Sequence, residues 1–284
     1  MKHLVNGLVD KADEIGLSEG AEAGILYWKE QMQEYPNSEL LMLAYAKWLT
    51  RQQAERDTVE ELLLKLSKSE DTEIKFEVQR YLSSFYIISQ RFEEAETVLA
   101  LLPDFDFNAR HLQALLLYMK KDYKAAKKAA EQFLFECAQN VLICLSRLAG
   151  IAVATEDSDK ERIYAEMMCR IEKELGIAFY RGATQMMDYY LHVGEEEKAA
   201  DCFEIYVESI IHAEECLNES PFLGDLGEDA RFISNGALVS TEAFSEELCR
   251  VTQSSEYMKN LRGNSKFQES MEKLLYYAYN LQNL

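Results

Sequence analysis

Apolar positions along this chain recur at helical spacing almost from end to end, and three stretches close on the same local pattern. They are Tyr86 with Phe92, Ala95 and Leu99; Leu117 with Tyr123, Ala126, Ala130 and Phe133; and Tyr190 with Gly194, Ala199, Phe203 and Tyr206. In each, an apolar residue of one predicted helix precedes an alanine of the next by nine positions. A bulky apolar residue follows that alanine at helical spacing. A helix–turn–helix unit returning every thirty-odd residues predicts a solenoid, in which each unit buries its apolar face only against its neighbours. The alanine has a steric reason: two helices approach closely only where one side chain at the crossing is small.

The same periodicity sets the other elements. Leu4, Leu8, Ala12 and Ile15 form one stripe of a first helix ending near Gly16, and Ser18 is placed to cap a second that carries Ala23, Leu26, Trp28 and Met32 to Tyr35. Pro36-Asn37-Ser38 breaks the chain, and Ser38 caps a third helix through Leu40, Leu43, Ala44 and Trp48. Helices follow over Asp57–Ser67, from about Phe76 to Tyr86, and over Phe92–Leu99, Ala109–Met119, Tyr123–Cys137, Val141–Ala154, Asp159–Leu175, Ile177–His192 and Glu196–Glu214. Residues 216–240, with Pro221, Gly224, Gly227 and Gly236, read as a long connection. Helices resume at Thr241–Val251, Ser255–Leu261 and Ser265–Leu281. The pattern therefore predicts an all-α, right-handed α–α superhelix over 1–215, the 216–240 connection, and capping helices of the same domain over 241–284.

Composition narrows the classes of function. Only 12 glycines and 3 prolines among 284 residues suit long helices joined by tight turns. A net charge of −20 argues against binding nucleic acid or an anionic membrane surface. Cys137, Cys144, Cys169, Cys202, Cys216 and Cys249 form no C-x-x-C pair and no zinc-like spacing with histidine, which suits a reducing, cytoplasmic setting. No signal peptide opens the chain, and no apolar run approaches about 18 residues, so no membrane crossing is expected.

Against this acidic background a ladder of basic residues falls on the first helix of successive pairs: Lys47, Arg80, Arg110 with His111, Arg147 and Arg181. First helices line the concave side of a stacked array. On the register set by the alanines, Lys47, Arg80, His111 and Arg181 point into that groove with Arg147 close by, and Ser84, Tyr118, Thr184, Gln185 and Asp188 sit beside them. Such a face suits the carboxylates of an acidic side chain or a peptide C-terminus. An ordinary solvated face of local ion pairs is the alternative, with Glu77 three residues from Arg80 as its nearest partner. The acidic blocks Glu93-Glu94-Glu96 and Glu195–Glu197 lie at helix starts, where capping accounts for them. No calcium loop, H-E-x-x-H, nucleophile triad or phosphate-binding glycine loop is present, so no catalytic residue, cofactor or metal is expected. Tyr276, Tyr277 and Tyr279 on the final helix point either to a partner or dimer contact or to packing on the preceding helices.

The small and large sites quoted above resemble the tetratricopeptide repeat over about residues 20–212, with the fullest copy running from Met186–Tyr190 to Tyr206. The Trp28–Leu49 segment and the later FEEAETVLALLPDF resemble the C-terminal sensor regions of bacterial helix-turn-helix regulators of the Xre type. That resemblance implies an array that binds an effector, often a peptide, and mediates dimerisation. The opening MKHLVNGLVDKADEIGLSEG carries no recognition-helix pattern. The expectation is a non-enzymatic peptide- or protein-binding module, the sensing and dimerising part of a transcription regulator. A stand-alone scaffold or adaptor is the alternative reading, and a helical enzyme would need a closed pocket with two convergent ionisable groups.

Overall fold

A computed structural model describes residues 2–103, 106–177, 181–212, 215, 219–224 and 258–281. These residues are all-helical, with no strand among them. The helices are α1 (Lys2–Glu19), α2 (Ala21–Glu34), α3 (Glu39–Gln52), α4 (Arg56–Leu66), α5 (Thr72–Ile88), α6 (Phe92–Leu99), α7 (Phe107–Met119), α8 (Tyr123–Ala154), α9 (Ser158–Leu175), α10 (Arg181–His192), α11 (Glu196–Ile211), α12 (Met258–Leu261) and α13 (Ser265–Leu281). The chain divides into two compact units, Met1–Ala129 and Ala130–Leu284. The expected helix at Thr241–Val251 and most of the 216–240 connection lie outside the described residues.

The turns explain the repeating pattern. After α3, α5, α7, α8, α9 and α10 one residue adopts a left-handed conformation: Gln53, Gln90, Lys121, Glu156, Gly176 and Gly194, with φ between 55° and 76°. The amide of the following residue then bonds the carbonyl five positions back: Ala54 to Leu49, Arg91 to Tyr86, Asp122 to Leu117, Asp157 to Ala152, Ile177 to Glu172 and Glu195 to Tyr190, at 2.8–3.1 Å. This closure satisfies carbonyls that a helix end leaves orphaned. The nine-position spacing from Tyr86 to Ala95, Leu117 to Ala126 and Tyr190 to Ala199 is thus the length of one such closure plus the first turn of the next helix. Ala95 and Ala199 are wholly buried and Ala126 nearly so.

In the first unit α1 packs on α2, α3 on α4 and α5 on α6, while α1, α3, α5 and α7 also pack on one another in succession. Trp28, Trp48, Leu41, Leu49, Val78 and Ile87 sit in its core, with the Trp28 and Tyr45 rings stacked at 5.6 Å. Helix starts are held by side-chain caps: Ser38 accepts from the Leu41 amide at 3.3 Å, and Asp71 from those of Glu73 and Ile74. In the second unit α10 packs between α9 and α11, and α11 carries α13. Phe203 and Phe267 meet at 4.5 Å, Lys273 bonds Glu208 at 2.7 Å, and Lys266 bonds Asp201. Tyr277 packs against this core, whereas Tyr276 is exposed.

Several boundaries differ from the sequence-based expectation: α5 starts at Thr72 and α7 at Phe107, each earlier than expected, and three further differences have a local cause. α1 runs on past Gly16 to Glu19, and the break falls at Gly20, whose φ of 95° suits only glycine. Ser18 therefore caps nothing; its hydroxyl donates to the Glu14 carbonyl inside α1. The helices expected at Tyr123–Cys137 and Val141–Ala154 are one uninterrupted α8, because Ala138-Gln139-Asn140 contains no glycine or proline and Asn140 Nδ2 donates to the Glu136 carbonyl at 3.0 Å. Ile177 closes the turn after α9 rather than opening α10. Among the described residues α8 is long and apolar enough, by length and composition, to cross a membrane.

Candidate binding groove

The first unit holds a groove of about 510 Å³ where α1, α3 and α5 come together. α3 contributes Leu40, Leu43, Ala44, Lys47, Thr50 and Arg51, a stripe at three- and four-residue spacing. The residues between them, including Leu41, Tyr45, Trp48 and Leu49, turn into the core. One helix thus supplies both a buried wall and a groove face. Val5, Asn6 and Val9 of α1 and Glu77 and Tyr81 of α5 complete the lining, so the floor is aliphatic and the rim polar.

Charge on that rim is fixed in place. Lys47 Nζ lies 5.0 Å from the centroid of the Tyr81 ring and pairs with the Glu77 carboxylate. Arg51 Nη2 donates to both oxygens of Asp13, at 3.1 and 3.3 Å. Asp13 Oδ1 also accepts from the buried Trp48 Nε1 at 2.9 Å, which anchors the Arg51 side of the rim to the core. An aliphatic floor beside an ammonium and a guanidinium suits an extended or helical peptide carrying apolar side chains and a carboxylate, which would exchange with Glu77 or Asp13. A more open groove of about 440 Å³ lies between α6 and α7, with Arg110 and Gln113 on its wall.

Of the basic ladder, Lys47 alone lines the α1–α3–α5 groove. Arg80 is engaged elsewhere: its Nε and Nη2 donate to Asp106 Oδ2 at 2.9 and 2.6 Å. Asp106 Oδ1 meanwhile accepts from the amides of Asn108 and Ala109 and caps α7. Burial pushes the Asp106 carboxyl up, but Arg80 and the two amides outweigh it and hold the group below its ordinary value. The expected partner Glu77 is taken by Lys47. Ser84 is half-buried on α5, His111 is exposed on α7, and Tyr118 is exposed with its ring 5.8 Å from that of Tyr123.

Arg147, Arg181, Thr184, Gln185 and Asp188 belong to the second unit. Arg147 lies on an exposed face of α8. Thr184 Oγ1 donates to the Arg181 carbonyl at 3.0 Å, and Gln185 Nε2 to Asp188 Oδ2 at 3.3 Å. The Gly182 amide donates to both oxygens of the buried Glu172, at 3.2 and 3.0 Å. Burial pushes that carboxyl up to about 8, against the pull of the Gly182 and Arg181 amides and the Arg181 charge. A Cβ on Gly182 would lie 2.5 Å from Glu172 Oε2 and 2.6 Å from the Cys169 nitrogen, so only glycine admits this approach.

Sequence reasoning passed over Arg51, Tyr81 and, in the second unit, the buried Glu161 and its contact with the exposed His192. Glu161, 5% exposed, meets His192 Nδ1 at 2.8 Å. It stands nine positions after Ala152, the slot that holds alanine after Tyr86, Leu117 and Tyr190. Asp188, one turn before His192, is pushed up to about 6 by burial first and by Glu161, with His192 and Gln185 acting against the shift. Among the described residues no three or more His, Cys, Asp or Glu side chains are gathered so as to hold a metal ion. The Cys169 and Cys202 thiols are pushed up to about 11, chiefly by burial. No protein-family model and no curated protein matches this chain.

Proposed function

We propose that this chain is a non-enzymatic, tetratricopeptide-like module, a right-handed α–α superhelix whose first helices bind a peptide or protein. In this reading it is the effector-sensing and dimerising region of a bacterial transcription regulator and acts in the cytoplasm without a cofactor. The groove between α1, α3 and α5 carries the reading. It joins an aliphatic floor to Lys47 and Arg51, and it lies on helices that pack in succession, as the first helices of stacked hairpins do. The recurring left-handed turns further support a repeated unit. Occupancy would act by changing the angle between neighbouring hairpins, which a partner domain reads.

The test is native mass spectrometry of the protein isolated from its host, followed by calorimetry with the peptide that co-purifies. Lys47→Ala and Tyr81→Ala should each weaken that peptide by about tenfold, the scale of one charge-assisted contact. Wild-type affinity in both variants would remove the groove from consideration.

A further inference from the structure

The C-terminal half of α8 is apolar on two sides, and only one of them is covered. Leu142, Ala149 and Ala152 are buried. Val141, Cys144, Leu148 and Ile151 are exposed, Val141 at 47% and Ile151 at 59%. Their spacing is three, four and three residues, which places them on a single seam of the kind that two helices share. A helix serving only as core would be mostly buried, yet only 22% of the apolar window of α8 is.

Charge selects what covers this seam. Residues 137–155 contain no Asp or Glu, the longest such run in a chain of net charge −20, and Arg147 is their only charged residue. Two copies of so acidic a protein repel wherever their carboxylates meet. The seam is where they can approach without that penalty, and its spacing is self-complementary. A bilayer is the poorer occupant: a lone spanning helix meets lipid on all sides, whereas α8 has one face buried in protein, and among the described residues no second helix is long and apolar enough to span beside it. We infer that the Val141–Cys144–Leu148–Ile151 face of α8 is the surface through which two copies of this chain pair.

This inference rests on the reading of the chain as a dimerising module. It gives dimerisation an unusual salt response: association tightens as ionic strength rises, because screening relieves the repulsion while the apolar contact persists. Docking of an acidic peptide on Arg147 would weaken instead.

Sedimentation velocity of the full chain over roughly two decades of concentration tests it. The wild type should self-associate, more tightly at high salt. Leu148→Glu and Ile151→Glu should each weaken association at least about tenfold, since each buries a carboxylate in the seam, with circular dichroism unchanged because both sites are exposed. A bis-maleimide link between the two copies' Cys144 in the wild type supports the same face without any substitution. Wild-type association in both variants overturns the face and leaves the dimerising reading standing. A wild type monomeric throughout overturns both. Flotation of the wild type with phosphatidylglycerol–phosphatidylcholine vesicles, lost in the Glu variants, also overturns it and makes lipid the occupant.

Discussion

Replacing Arg80 with alanine separates a structural arginine from a ligand-binding one. Its two nitrogens converge on one oxygen of Asp106, which is only 6% exposed. Charge-assisted hydrogen bonds contribute ~1.5–3 kcal/mol net. Here the two share an acceptor and the Arg80 side chain is 32% exposed, so they do not add in full. Asp106 keeps its bonds to the Asn108 and Ala109 amides after the substitution, which limits the loss. A cost of about 2–3 kcal/mol follows, or roughly 6–12 °C in the melting temperature of a unit this size. Asp106→Asn keeps a competent N-cap and removes the ion pair, so in that background Arg80→Ala should cost under about 0.5 kcal/mol. The Asp106 carboxyl lies below its ordinary value in the fold, so its pairing stabilises above the unfolded carboxylate range and is lost as pH falls through the folded value. The deficit of Arg80→Ala should therefore be full at about pH 7 and narrow below about pH 4. Urea unfolding of the four proteins of this cycle measures it. Equal costs of Arg80→Ala in the two backgrounds would refute the argument.

Three further outcomes follow from packing and burial. Gly182→Ala drives a methyl group against Glu172 and the Cys169 backbone and should cost about 1–3 kcal/mol in urea unfolding, where a neutral result would mean that α9 and α10 are not in such close approach. Ala95→Leu and Ala199→Leu overfill wholly buried crossings and should each cost about 1–3 kcal/mol, against under 0.5 kcal/mol for the same change at the exposed Ala130. Glu172 and Asp188 hold protons more tightly folded than unfolded, pushed up to about 8 and about 6 by burial. The stability they contribute is complete below about pH 4 and is lost as pH rises through those two values. Thermal melts should therefore fall between about pH 5 and 9 and flatten in Glu172→Gln, and a wild-type melting temperature that rises over this range would contradict the burial argument.

Where helices begin and end was legible wherever local chemistry decides it. Ser38 caps α3 as expected, because Pro36 breaks the chain just before it, whereas Ser18, with no such break beside it, stays inside α1 and bonds back to Glu14. The alanines after Tyr86, Leu117 and Tyr190 are buried as expected, because the closed turn fixes how far the next helix has advanced. α8 was misjudged at its middle, since Gln139 and Asn140 are compatible with a turn and nothing local says that Asn140 bonds back into the helix. The groove was legible in part. The place of Lys47 on a first helix is visible in the sequence, whereas Tyr81 and Arg51 read as ordinary amphipathic residues until α1, α3 and α5 are set side by side. The pairing of Arg80 with Asp106 was not legible, because the two lie 26 residues apart and separations of that kind leave no mark in local spacing.

Glu161 sharpens the same point. The turn after Ala152 closes with the same left-handed residue and the same five-position bond as the turns after Tyr86, Leu117 and Tyr190, so the backbone delivers the ninth residue to the same kind of slot. In those three turns a methyl group fills the slot, whereas here a carboxylate does, and it reaches across to His192 on α10. A buried carboxylate is costly unless bonded, so the histidine is the condition on which this slot can depart from alanine. The absence of alanine at residue 161 therefore reflects a change of side-chain chemistry within an unchanged turn, and the spacing rule holds in the backbone where it fails in the residue type.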